Sequence, residues 1–176
     1  MKRLLVVVDY QIDFVDGTLG FPKAAAIENP IAEKIKEYRK NGDEVVFTLD
    51  THSENYLTTQ EGENLPVPHC IQGTKGAELY GKISQLRQAS DTVFEKPTFG
   101  CGPLFTHLKS GNYDCVELVG LISNICVISN AVIAKTALPE ALVMVDAACT
   151  ASNDDMLHEA ALSIMDGLQI KVTNRK

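Results

Sequence analysis

The chain has 176 residues, of which 45% are hydrophobic and 22% charged, with a formal net charge of −7. That length buries a substantial core within one domain. The acidic balance argues against nucleic acid or an anionic membrane as the main partner, and no apolar run approaches the ~20 residues of a membrane span.

The N-terminal "MKRLLVVVDYQ" begins like a signal peptide, but its apolar stretch is short and breaks at Asp9. It reads as a buried first strand over 3–9. A long irregular connection, 10–28, follows. Helix signals then run over 29–42, with Asn29 as N-cap, Pro30 at the first helical position and Gly42 past the end. The apolar run 43–50 is the second strand and leads into another long irregular connection, 51–75. Loops of such length usually carry function.

A third strand is expected over 91–97, and a Pro-first, Gly-last helix over 102–111. The fourth strand, 114–121, passes into "ICVISNAVIAKTA", apolar nearly all round and therefore expected to be a deeply buried helix. A fifth strand over 141–147 precedes a helix over 152–167, with Ser152 and Asp155 as a capping box and Gly167 at its close. The last strand is 168–173. Short, Val-, Leu- and Ile-rich runs are the mark of strands buried on both faces. Their alternation with helices predicts a single-domain, Rossmann-like three-layer α/β/α fold over 1–176, with a mostly parallel six-stranded sheet.

Five cysteines (Cys70, Cys101, Cys115, Cys126 and Cys149) lack CxxC spacing. An odd, irregular set suits reduced thiols and a cytoplasmic location.

Asp9, Asp50, Lys96 and Cys126 all fall at strand ends on the same sheet edge, the side on which open α/β sheets bind ligands. Singly, each has an ordinary explanation as a turn cap, a solvated cation or a packing residue. Together they form a coherent set. A thiol is mostly protonated at neutral pH and needs activation. Asp9 can take its proton and Lys96 can stabilise the thiolate. A helix N-terminus at Cys126 favours negative charge, and its backbone N–H groups can hold an oxyanion. His107 and His158 fall within helices and read as surface residues, so the base is expected to be a carboxylate.

A second group is Asp50-Thr51-His52 with His69 further along the same loop. Two imidazoles and a carboxylate resemble an open metal site. Two loop histidines bonded to backbone would also fit this spacing. Glu54, Glu61 and Glu63 lie between them, and any could add an oxygen ligand.

The stretches "VVVDYQIDF", "LDTH", "PVPHCIQGTKG", "FEKPTFG" and "VGLISNICV", in this order, resemble the isochorismatase-like cysteine hydrolases from residue 4 to about residue 150. The D-x-H pattern with its later His resembles the metal-binding nicotinamidase (pyrazinamidase) branch. The resemblance implies Asp9, Lys96 and Cys126 as the catalytic triad and Asp50, His52 and His69 as ligands of zinc, iron or manganese. It puts Glu61 nearest a fourth ligand and Phe14 in the substrate pocket. It also implies a cis peptide at Leu121–Ile122, with the N–H groups of Ile122 and Cys126 facing the oxyanion.

One departure stands out. Nicotinamidases present a Trp or Phe shortly before the last metal His, where this chain offers Leu65 and Val67. The expected function is nicotinamide hydrolysis through a Cys126 thioester, with Leu65 beside the substrate and a homo-oligomeric protein. The rival readings are the same triad acting on another small amide or ureido compound, and a non-catalytic ligand-binding domain.

Overall fold

The computed structural model describes residues 1–175. In chain order its elements are β1 (Arg3–Val8), α1 (Ile12–Val15), α2 (Pro22–Ala26), α3 (Glu28–Lys40), β2 (Glu44–Asp50), α4 (Gln60–Asn64), α5 (Gly81–Leu86), β3 (Thr92–Lys96), α6 (Gly102–Gly111), β4 (Cys115–Leu121), α7 (Ile128–Ala137), β5 (Leu142–Ala151), α8 (Asp155–Gly167) and β6 (Lys171–Thr173). The six strands form one sheet in the order β3-β2-β1-β4-β5-β6, and every neighbouring pair is parallel.

All the expected strands are present. β5 runs on past the expected end to Ala151, beyond a register shift against β4. The chain winds from β1 outward to β3, then returns to place β4 against the other side of β1. The β1/β4 junction is therefore the topological switch point, where strand ends part to leave a crevice. Gly120 is required there. It has φ 112°, and a Cβ on it would lie 2.0 Å from the Val8 carbonyl oxygen.

One apolar layer packs β1, β4 and β5 against α6, α7 and α8, and the other packs β1 and β2 against α3 and its neighbours. Burial of each large aliphatic side chain contributes roughly 1.5–3 kcal/mol. The second layer holds a polar knot invisible in the apolar run of β4. Glu117, 1% exposed, accepts from the Tyr38 hydroxyl at 2.6 Å and pairs with Lys34 at 3.0 Å, and Lys34 also reaches Asp146 at 2.9 Å.

The helix details differ from expectation in identifiable ways. Asn29 is not the N-cap of α3, because α2 hands directly into it and Ile27 occupies that position. Pro30 still lies in the first turn, where its missing N–H is not needed. The α8 cap is Asp154, which accepts from Leu157 N–H at 3.0 Å; Ser152 instead accepts from Asp154 N–H and shapes the preceding turn. The segment 125–137 is not buried all round. A π turn spans Ser123–Val127, and Asn130, Ala131, Ala134 and Ala137 form the inward face of α7. Small residues bring this helix close to the sheet, while Ile125 and Val132 are 37% and 39% exposed. The connections 10–28 and 51–75 contain short helices and a 3-10 turn. His107 and His158 are half-buried and hydrogen-bonded, to Tyr113 and Ser123 respectively. No helix among the described residues is long and apolar enough to cross a membrane.

Candidate active site

Asp9 directly follows β1 in the left-handed region at φ 45°, a conformation that costs a non-glycine residue energy and recurs at functional sites. Its backbone N–H bonds Thr48 of β2 at 3.1 Å, and the Thr48 hydroxyl donates to Asp9 Oδ1 at 2.7 Å. Lys96, the last residue of β3, is 1% exposed. Its ammonium lies 2.7 Å from Asp9 Oδ2, 3.3 Å from Asp50 Oδ1 and 3.6 Å from Cys126 Sγ, and it donates to the Thr98 carbonyl at 2.9 Å. Cys126 stands on the π turn after β4, 6% exposed. The Leu121–Ile122 peptide is cis.

Burial pushes the Cys126 thiol well above the ordinary range, the nearby Asp9 carboxylate adds to that, and Lys96 opposes it. Burial also raises Asp9, against the pull of Lys96. For Lys96, burial acts downward, but Asp9, Cys126 and Asp50 outweigh it and raise the ammonium above its usual value. The resting proton therefore sits on sulfur, next to an unusually basic carboxylate and a permanent cation. The expected thiolate, with its proton on Asp9 and Lys96 beside it, is thus not the resting form. The reason is the dry environment, which disfavours a second anion beside Asp9.

Asp50 ends β2 beside Lys96 and faces both loop histidines. Its Oδ2 lies 2.9 Å from His52 Nε2 and 3.3 Å from His69 Nε2. Glu61 Oε1, on α4, lies 3.7 and 3.8 Å from the same two nitrogens. One ligand atom from each of the four residues falls within 4.8 Å of the others. Burial acts to raise the Asp50 carboxyl, but His52, His69 and Lys96 outweigh it and hold it well below the usual carboxylate range. His69 Nδ1 bonds the Val67 carbonyl at 2.8 Å. A carbonyl only accepts, so that nitrogen carries the proton and Nε2 is left as the ligand atom. Ligands ~2.0–2.2 Å from a transition metal sit roughly 3–4 Å from one another, and two nitrogens with two carboxylate oxygens suit zinc, iron or manganese. The donor set fits such an ion.

Several residues that organise this site escaped the sequence reading. Gln11 holds both backbone groups of Asp50: its Nε2 donates to the carbonyl at 2.8 Å and its Oε1 accepts from the N–H at 2.8 Å. Asp13 accepts from Cys70 N–H at 2.8 Å, one residue past His69, and the Phe14 ring packs on His69 with centroids 5.4 Å apart. Asn130 donates to the carbonyls of Cys126 and Phe99 at 2.8 and 3.2 Å and accepts from Cys101 N–H at 2.9 Å. The only sequence signals were polar residues at short fixed offsets from Asp9, and one Asn within an apolar helix.

A cavity of about 200 Å³ opens over Cys126. Phe14, Leu65, Phe99, Ile122 and Ile125 form its apolar walls, while Asp50, Glu61, His69 and Asn153 give it polar groups. Phe99, from the loop after β3, supplies an aromatic wall in addition to Phe14. A larger cavity of about 520 Å³ between α2, β5 and α8 contains neither the thiol nor the clustered donors.

An all-parallel Rossmann-like sheet with a buried Cys-Asp-Lys group at its switch point defines a cysteine hydrolase architecture. The Isochorismatase domain family matches residues 3–176, and the chain belongs to that family. It is 36% identical over 144 residues to the isochorismatase family protein PncA of Bacillus subtilis (strain 168), covering 75% of this chain and 78% of that protein. The crystal structure of nicotinamidase PncA from Bacillus subtilis is similar with a TM-score of 0.85 and 30% identity, over 98% of this chain and 99% of that one. Pyrazinamidase of Pyrococcus horikoshii in complex with zinc is similar with a TM-score of 0.86 and 25% identity, over 99% and 100%.

Proposed function

We propose that the protein is a metal-assisted cysteine amidohydrolase that converts nicotinamide to nicotinate and ammonia. The observation that carries this reading is that one small cavity is lined by Cys126, which is backed by the buried Lys96–Asp9 pair, and by Asp50, Glu61 and His69 of the metal-donor cluster. The solved relatives described as nicotinamidase and pyrazinamidase support the choice of a heteroaromatic carboxamide.

In this reading Asp50, His52, His69 and Glu61 hold a divalent transition metal. When bound, that ion supplies a Lewis-acid anchor for a ring nitrogen. Phe14, Phe99 and Leu65 pack the ring, and Cys126 faces the carboxamide carbon. Asp9 takes the thiol proton as sulfur attacks the carbonyl, and the Lys96 ammonium keeps Asp9 ionised until that moment. The N–H groups of Ile122 and Cys126 receive the developing oxyanion, where preorganised donors are most effective. As the tetrahedral adduct collapses, the C–N bond breaks and Asp9 passes its proton to the leaving nitrogen, releasing ammonia. Water then attacks the thioester, giving one proton to Asp9. The C–S bond breaks, Asp9 returns the proton to sulfur, and the carboxylic acid leaves, ionising to nicotinate by giving its remaining proton to water.

One observation favours a second reading, the same triad acting on another small amide or ureido compound. Leu65 stands where nicotinamidases present an aromatic, so ring recognition is weaker from that side. Ammonia release from nicotinamide, pyrazinamide and simple ureido compounds, with and without chelator, separates the two. Faster turnover of a ureido compound, insensitive to chelator, would overturn the nicotinamidase reading.

A further inference from the structure

We propose that the metal-donor cluster has its own entrance: the ion reaches and leaves it through a second, polar cavity, and not past Cys126. The inference rests on the metal-assisted reading above. A cavity of about 290 Å³ lies beside the catalytic one, between the loop after β2, the start of α4 and the loop after β3. The four donors divide between the two spaces. Asp50 and His69 border the catalytic cavity, His52 borders the second, and Glu61 borders both. Glu61 and Phe99 stand in both linings and form the partition.

Solvation decides which route suits an ion. A hydrated dication gives up water only where oxygen or nitrogen groups replace it, and burying charge without them is costly. The mouth of the catalytic cavity carries the exposed apolar side chains of Leu65, Phe99 and Ile125, which offer no such group. The second cavity is lined by Ser53, Thr59, Gln60 and Thr98, of which Ser53, Gln60 and Thr98 are exposed. It is open to solvent, and its polar lining leads to His52 and Glu61. Glu61 is also the loosest donor, 3.7 and 3.8 Å from the two imidazoles, on a helix of five residues. A shift of its side chain opens the cluster toward the second cavity while Gln11 keeps Asp50 in place. A ring seated against Phe14 does not stand in this path, because Phe14 borders the catalytic cavity alone.

The test uses the full chain and reads metal exchange, not turnover. Zinc release into excess chromogenic chelator is followed at chelator concentrations beyond which the rate no longer changes. Zinc uptake by metal-free protein is followed by stopped flow. Gln60→Trp and Thr98→Trp narrow the second cavity from α4 and from the loop after β3. Each is expected to slow uptake and release together by about tenfold, the effect of ~1.4 kcal/mol on both directions of one barrier. Zinc affinity should not change. Wild type carrying an N-ethylmaleimide adduct on Cys126 has its catalytic cavity filled, and should exchange zinc at the unmodified rate. Unchanged or faster exchange in both Trp variants, or slowed exchange in the adduct, overturns the proposal. The adduct measurement needs no substitution, so it decides even where a Trp variant fails to fold. A wild type that binds no zinc at equilibrium sinks the metal-assisted reading itself. Tight binding with exchange blocked from the Cys126 side defeats only the second entrance.

Discussion

Gln11 grips Asp50 by both ends of its peptide backbone, with two hydrogen bonds of 2.8 Å made in the interior. Gln11 also donates to the Ala77 carbonyl at 2.9 Å, tying three segments of the crevice together. The Asp-x-Gln spacing after β1 thus places the proposed general base and the clamp of the metal-donor group on one short stretch.

Replacing Gln11 by Leu keeps the volume but strands a buried N–H and C=O of Asp50. Each unsatisfied group costs about 1–3 kcal/mol. Gln11→Leu is therefore expected to lower the melting temperature. Loss of a supporting partner also typically weakens metal binding by roughly 10–100-fold. Thermal denaturation and a zinc competition titration check the two effects separately.

Cys126→Ala is expected to abolish turnover and leave the fold intact, since the sulfur is the attacking atom of the proposed mechanism and alanine fits its space. Iodoacetamide should label Cys126 before the other four thiols, and faster as pH rises. Accessibility decides this order. Cys126 is 6% exposed and opens into the cavity, whereas Cys70 and Cys101 have no exposed surface. Cys149 and Cys115 are 2% and 3% exposed. Equal labelling of all five by mass mapping would refute the assignment.

Asp9→Asn preserves shape but accepts no proton, and turnover should drop by about 10²–10⁴, the usual range for general acid–base catalysis. The pH profile has a definite sign. Asp9 must be ionised to act and burial raises it, so the acid limb should lie above the ~3.9 of a free aspartate. The thiol and Lys96 are raised as well, so the resting protonation state should persist past the ~8.5 of an ordinary thiol. Asp50 behaves oppositely in stability. Its depressed carboxyl contributes above the ordinary ~3.9, and that contribution is lost as pH falls through the folded value. An acid limb at or below ~3.9 would remove Asp9 as the base.

What was legible in the sequence follows a physical division. Runs such as "LLVVV" and "CVELV" mark strands because both faces of an internal parallel strand must be apolar. Asp9, Asp50, Lys96 and Cys126 stand out because each is a polar or reactive residue at the end of such a run, and parallel strands bring those ends to one edge. Partners that depend on docking were not legible. His158 meets Ser123 across 35 positions, and Gln11 meets Asp50 across 39. Glu117 looked like an interruption in an apolar strand until Tyr38 and Lys34 appeared beside it. Helix starts were misplaced by two residues at Asn29, where α2 runs directly into α3, and at Ser152, where adjacent polar residues compete to cap and tertiary contacts choose among them.

Leu65→Trp tests ring recognition. Leu65 is 38% exposed at the cavity mouth, so a larger ring has room to enter. Aromatic pairing adds ~0.5–1.5 kcal/mol, so the KM for nicotinamide should fall by roughly twofold to tenfold with little change in kcat. An unchanged or higher KM would show that the ring does not lie against this wall.

The metal-donor group yields the prediction that separates the two enzymatic readings. The donor atoms of Asp50, His52, Glu61 and His69 already lie within 4.8 Å of one another. Nothing about proton transfer between Cys126 and Asp9 requires the ion, so removing it should act mainly on substrate binding. KM should rise on chelation, with a smaller fall in kcat where the remaining pose is productive. His52→Ala should reproduce the effect of chelation. Glu61 lies 3.7 and 3.8 Å from the two imidazoles, against 2.9 and 3.3 Å for Asp50, and Glu61→Ala should therefore give a milder loss. Elemental analysis of protein purified without added metal, paired with nicotinamide hydrolysis before and after chelation, makes the measurement. Less than about a tenth of an equivalent of any transition metal, with unchanged activity, would show that folding has not created a high-affinity site. The same triad working on a metal-independent amide would then be the better account of the cavity.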